Sequence, residues 1–225
     1  MDRRPDGEKH MSSGLHRENM NQLRQAMKMG ANITHVETLA MGKGTFMLEM
    51  KDAQTGEVLV SWTKDNVITK DGGVLAAMLF QDRGGVSRGL SMLAVGSGAR
   101  GSLLSPDAPH VNQRRLNAEL ETGRKGFASV VYRDSEGGVS AVPTNVVDFT
   151  TSYGEAEAVG PLNEMGLLSP KSDDPTVKNP VSADWPVYDP TVDLTDKDIL
   201  VNYLTFPVIS KPSTAILTIT WRLTF

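Results

Sequence analysis

The chain contains no cysteine. That removes disulfides, zinc–thiolate sites and thiol nucleophiles, and it fits synthesis in a reducing cytoplasm. No run approaches the ~18 apolar residues of a membrane-spanning helix. The apolar fraction, 39%, is enough for a core but not for a membrane protein. Residues 1–14 hold no apolar h-region, so a secretory signal is not expected there. Without one, the sequon Asn32-Ile33-Thr34 carries almost no weight. Neither sign of charge dominates: net charge is −4 with acids and bases mixed, which gives no support for a nucleic-acid footprint. No internal repeat is visible.

What is present is alternation. In residues 200–225, Leu217, Ile219, Trp221, Leu223 and Phe225 fall on every second position, with Thr218, Thr220, Arg222 and Thr224 between them. A period of two puts the apolar set on one face of a β-strand, and the residue types are strand formers. Pro212 marks a turn over 210–213, which predicts residues 201–209 as the partner strand of a hairpin. Phe225 is still in phase, so the strand is expected to run to it inside the sheet. The same alternation, in Phe46, Leu48 and Met50 and again in Val58, Val60 and Trp62, predicts a hairpin over 45–50 and 57–62. Asp71 is read as the cap of a short, buried helix through 74–80. Residues 90–95, 127–132, 139–142 and 146–151 read as strands, and Val147, Phe149 and Thr151 would share a face. Residues 114–120 fit a strand or a helix equally. Residues 155–168, with Gly160, Pro161 and Gly166, read as bent or irregular. A length of 225 residues admits one large β domain or two small ones. The expected fold is mainly β, an antiparallel, jelly-roll-like β-sandwich over 41–225 with one or two short helices.

Two appendages stand apart. Residues 1–40 read as an extended arm and a helix, in which Met20, Leu23 and Met27 recur at three and four. That stripe suits either a helix on its own domain or a methionine-lined arm docking on a neighbouring subunit. Residues 169–198 hold five prolines and many aspartates, a long loop for a compact domain. Trp185 and Tyr188 within it are candidate interface anchors, or part of a loop folded back over its own sandwich.

No catalytic constellation emerges. Gly96-Ser97-Gly98-Ala99-Arg100-Gly101 matches G-x-G-x-x-G, but Pro106 and Pro109 break the helix a dinucleotide site requires. It is read as a glycine turn between strands. His10, His16, His35 and His110 are scattered without a second ligand at zinc spacing. Asp193, Asp196 and Asp198 resemble a calcium loop only loosely. Ser97 lacks the nucleophile elbow. Glu155, Glu157 and Glu164 are read as solvated or structural carboxylates rather than a glycosidase pair. No cofactor, metal or nucleic acid is expected, and no membrane.

The order of segments resembles a family of tailed-bacteriophage virion proteins. The matching pieces are Asn66-Val67-Ile68-Thr69-Lys70-Asp71-Gly72-Gly73, Leu93-Ala94-Val95-Gly96-Ser97-Gly98, Leu116-Asn117-Ala118-Glu119-Leu120 before Arg124, and Val147-Asp148-Phe149. Asn163-Glu164-Met165-Gly166-Leu167-Leu168 and Phe206-Pro207-Val208-Ile209-Ser210-Lys211 complete the series, followed by residues 217–225. The resemblance covers roughly residues 56–225. The arm and the proline-rich insertion depart from it. It implies an all-β module of a tail, baseplate or fibre-attachment part, without catalytic residues and located in the virion after assembly in the bacterial cytoplasm. The implied partners are further copies of the chain and other virion proteins. A capsid decoration protein is the first alternative. The second is a carbohydrate-binding receptor-recognition protein, in which Trp185, Tyr188, Asp184 and Asp189 would form the site.

Overall fold

A computed structural model of the chain describes residues 43–81, 89–181 and 197–225. The arm and helix expected over 1–40, with Met20, Leu23 and Met27, lie outside the described residues, as do Trp185 and Tyr188.

The described elements are β1 (Lys43–Asp52), β2 (Val58–Ile68), α1 (Lys70–Gln81), β3 (Met92–Gly96), β4 (Glu119–Gly126) and β5 (Ser129–Arg133), then β6 (Val139–Ser140), β7 (Val146–Tyr153), β8 (Gly160–Ser169), β9 (Ile199–Lys211) and β10 (Ala215–Thr224). The ten strands form a sheet in the order β4-β3-β8-β9-β2-β1-β10-β7-β5-β6, with every pairing antiparallel. The described residues are therefore mainly β, as the alternation predicts, with one short helix among them.

The sheet is creased at its middle. β2 meets β9 through two residue pairs, Val67↔Tyr203 and Ile68↔Asn202, after which the strands part. Their inward rings still meet: Trp62 and Phe206 lie 5.2 Å apart, and Phe46 packs on both Trp62 and Trp221. One core cluster takes Phe46, Leu48, Met50, Leu217, Ile219 and Trp221 from one half, and Leu93, Val95, Leu162, Met165, Leu204 and Phe206 from the other. Tyr153 crosses the core and donates its hydroxyl to the carbonyls of Leu93 and Gly123. Two half-sheets thus face each other over a shared apolar interior, the arrangement that buries one face of each.

β10 sits between β1 and β7 at the centre of its half-sheet. Its inward set is buried from Ala215 to Leu223, and its outward set is not. The predicted hairpin of β9 with β10 is not formed. Both strands exist, but β9 pairs with β8 and β2, and β10 with β1 and β7. Residues 212–214 instead turn a corner between the two halves. Phe225 also departs from expectation: its side chain is 68% exposed, and its backbone N–H bonds to the Asn145 carbonyl beyond the strand end.

Other boundaries move for local reasons. The β1–β2 hairpin forms, with β2 running on to Ile68 and Val58 left exposed. α1 starts at Lys70, four residues before the predicted start, and Thr69 rather than Asp71 caps it. The Thr69 hydroxyl accepts from the Gly72 N–H and donates to β9 carbonyls, so the N-cap also ties the helix to the sheet. A Cβ at position 72 would stand 2.7 Å from the Val201 carbonyl oxygen, which explains glycine there. Leu75 packs on Ile199 and Val201, while Leu79 faces outward. Residues 114–118 form a loop, and the strand begins at Glu119. β6 is two residues long. The segment read as irregular is largely β8, buried without a break from Leu162 to Ser169.

Candidate functional site

The loop between β3 and β4 meets β8 and β9 at a buried carboxylate. Glu164, on β8, has no exposure. Its Oε1 accepts from the N–H groups of Gly98 (3.0 Å) and Ala118 (2.7 Å), and its Oε2 from the Asn117 N–H (3.0 Å) and the Tyr203 hydroxyl (2.7 Å). Asn163 accepts from the Ala99 N–H. Four donors spread a buried charge that would otherwise be prohibitive. Burial, followed by the neighbouring Glu164 charge, pushes the Tyr203 hydroxyl far above the ordinary phenol range. The Gly96–Gly101 match to a nucleotide motif is thus a turn. The amides of Gly98 and Ala99, which would face a phosphate, are bonded to Glu164 and Asn163.

Beside this knot lies a cleft of about 350 Å³, with His110, Gln113 and Tyr203 in its wall. His110 accepts the Asn112 N–H at Nδ1, while Gln113 reaches Asn117 and the Arg115 carbonyl. Asn117 donates to the Tyr203 hydroxyl and Thr205 to the Asp107 carbonyl, while the buried Asn112 Oδ1 has no partner among the described residues.

Of the other carboxylates named above, Glu155 is exposed, while Glu157 and Asp198 are engaged. Glu157 pairs with Lys125 and accepts the Gly154 N–H. The Lys125 bond, followed by that N–H, holds its pKa below the usual range. Asp198 accepts from Arg124 at 2.6 Å and from the N–H groups of Lys171 and Asn179. Arg124 grips Glu119 with two nitrogens. This buried cluster clamps both roots of the proline-rich insertion, since the Asp198 N–H also bonds to the Asn179 carbonyl. Asp193 and Asp196 lie outside the described residues, as do His10, His16, His35, Asp184 and Asp189. Among the described residues, no group of three or more His, Asp and Glu is placed to hold a metal ion.

A second surface was not legible in the sequence. Where β2 and β9 part, a largely apolar groove of about 320 Å³ opens between Val60, Trp62, Thr63 and Lys64 on one side and Phe206–Ile209 on the other, with Lys64 Nζ donating across to the Thr205 carbonyl. Beside it, the Val208 N–H bonds to the Leu103 carbonyl at 2.8 Å. Leu103 and Leu104 are 65% and 81% exposed. The available signal was a leucine pair set between Ser102 and Ser105 in a polar loop.

Glu157, Glu164 and Asp198 are thus committed to holding loops, and a largely apolar groove opens between β2 and β9. The chain matches no family model, no curated protein and no solved structure.

Proposed function

We propose that this chain is a non-enzymatic structural component of a tailed-bacteriophage virion, in the tail, baseplate or collar. It serves there in several symmetric copies, joins neighbouring subunits and provides an attachment point for fibres. The observation that carries the reading is the ordered series of segments that resembles such proteins. The geometry supports a structural role, because those segments fall on the joints of the fold. Residues 66–73 carry the strand–helix junction and its Thr69 cap. Residues 93–98 and 116–120 flank the Glu164 knot, and 163–168 supply it. Residues 217–225 include the core of the central strand. Two of the three carboxylates weighed for hydrolysis, Glu157 and Glu164, are spent on lysine, tyrosine and backbone donors, and the third, Glu155, is exposed. A subunit of this kind needs an enclosed core and surfaces that order on neighbours.

Imaging of the intact particle tests the proposal. Density for this fold in the tail, baseplate or collar is the expected result. Density on the capsid lattice would reassign it as a decoration protein, and absence from particles would overturn the reading. Glycan binding by the purified chain, lost on Trp185→Ala, would replace it with receptor recognition. Deleting residues 1–29 is expected to leave the cooperative melt in place and to weaken assembly. A deletion that assembles normally but loses its melt contradicts the role given to the arm.

A further inference from the structure

The antiparallel pairing of β8 with β9 reaches Ser169↔Ile199. Two strands paired to that point need a turn of only about two to five residues. The chain instead runs through residues 170–198. The described parts of this connection close on themselves near its base. Asn179 and Asp198 hold each other twice: the Asp198 N–H bonds to the Asn179 carbonyl at 2.8 Å, and the Asn179 N–H to the Asp198 carboxylate at 2.9 Å. The same carboxylate accepts the Lys171 N–H at 2.8 Å and the Arg124 guanidinium at 2.6 Å. The Arg124 and Asp198 side chains are 2% and 3% exposed, and Glu119 holds Arg124 from its other side. Lys178 reaches Glu119 and the Leu120 carbonyl. Val181 is buried, and its carbonyl accepts from Arg115. Each of these bonds joins β4, the 114–118 loop, residues 171–181 or Asp198, and none uses a residue from 182–196.

We infer that this cluster is a doorway. It fixes the two ends of residues 182–196 beside each other from within the sandwich, and the fold forms without the residues that pass through it. A buried arginine–carboxylate pair whose remaining lone pairs take backbone donors is complete in itself. Shortening a connection between fixed ends also lowers the entropy cost of closing it. From the Asn179–Asp198 pair the chain has two residues to reach Val181 and one to reach Lys197. The gap between those two is therefore roughly 16 Å at most, which four glycines span. The inference goes beyond the proposed function and does not depend on it. It separates what holds the sandwich together from whatever residues 182–196 do, so that this segment is exchangeable while the sheet stays as it is.

The test replaces residues 182–196 by four glycines in the otherwise full chain and, in a second variant, by eight. The expected result is a cooperative thermal melt within about 3 °C of the parent's, with the Lys171, Asn179 and Asp198 amides still protected from hydrogen exchange. Asp198→Asn is then placed in the parent and in the shortened chain. It should lower the melt equally in both and speed exchange at Lys171 and Asn179 about tenfold or more, because the cluster closes on itself. A melt kept by eight glycines but not by four faults only the length of the link and still supports the doorway. Loss of the cooperative melt, or a fall beyond about 3 °C, with both links overturns it, since the sandwich would then depend on residues 182–196. So does an Asp198→Asn effect that differs between parent and shortened chain, because the cluster would then draw on the segment it admits. Should Asp198→Asn unfold the parent, the two glycine variants decide alone.

Discussion

Asp148 shows how much a single buried side chain can do in this fold. It lies on β7 with 1% of its side chain exposed, and it receives Arg222 through two nitrogens and Arg133 through one. Burial works against its charge, but the hydrogen bonds from Arg222 and Arg133 outweigh burial and hold its pKa below the ordinary carboxylate value. A carboxylate depressed on folding contributes stability that is fully present above its unfolded pKa, about 3.9, and is lost as pH falls through the folded value. Asp148→Asn is expected to cost about 3 kcal/mol at neutral pH, because two arginines lose their partner. Melting curves of the two proteins should lie a constant interval apart above about pH 5 and converge below it. An interval that persists unchanged into strong acid would sink the argument. Trp221 is the apolar counterpart. Its ring is fully buried, so Trp221→Ala should cost about 3–5 kcal/mol in chemical denaturation. Its Nε1 has no hydrogen-bond partner among the described residues, so Trp221→Phe forfeits no bond and should cost clearly less.

At the scale of elements, the loop between β3 and β4 depends on β8. Glu164→Gln keeps the shape but removes the charge that four donors address, an expected loss of about 2–3 kcal/mol. The distinguishing measurement is hydrogen exchange. The amides of Gly98, Asn117 and Ala118 should exchange faster, while those of β10 keep their protection. Uniform loss of protection would mean that the carboxylate holds the whole sheet rather than one loop. β8 also shows why some elements were legible in the sequence and others were not. β1 and β10 have one face in the core and one in water, so their alternation is plain. β8 is buried on both faces. Met165 and Leu167 enter the central core, while Leu168 joins Met92, Ala94 and Leu116 in a second cluster beneath the loop. With no wet face there is no period of two, and Asn163-Glu164-Met165-Gly166 reads as irregular. β9 is covered likewise, α1 packing on Ile199 and Val201. The helix start was missed because Asp71, the obvious cap by residue type, is pulled into a buried pair with Arg114 at 2.9 Å, leaving the cap to Thr69. Gly72→Ala tests this junction: a Cβ there would meet β9 backbone, so the melt should fall despite alanine's better helix propensity.

For the whole molecule, the strands were more legible than their pairing. Local pattern announces a strand, but nothing local distinguishes a hairpin from a corner. A short proline-bearing turn serves either. Here it carries the chain from β9 in one half-sheet to β10 in the other, because both faces of the core need an apolar strand at that end. The candidate surface was illegible for the same reason. Nothing local in Val60, Trp62 or Pro207 shows that β2 and β9 pair only through Val67 and Ile68 and then part. That the central strand of one half-sheet is supplied by residues 215–224 bears on how the molecule is made. β1 is translated roughly 160 residues before the partner that flanks it, and until β10 leaves the ribosome both β1 and β7 present bare edges to the cytosol. The half-sheet must stay unfinished, and sticky, until residues 215–224 have been made. A fragment stopped before residue 215 is expected to aggregate or be degraded rather than wait folded.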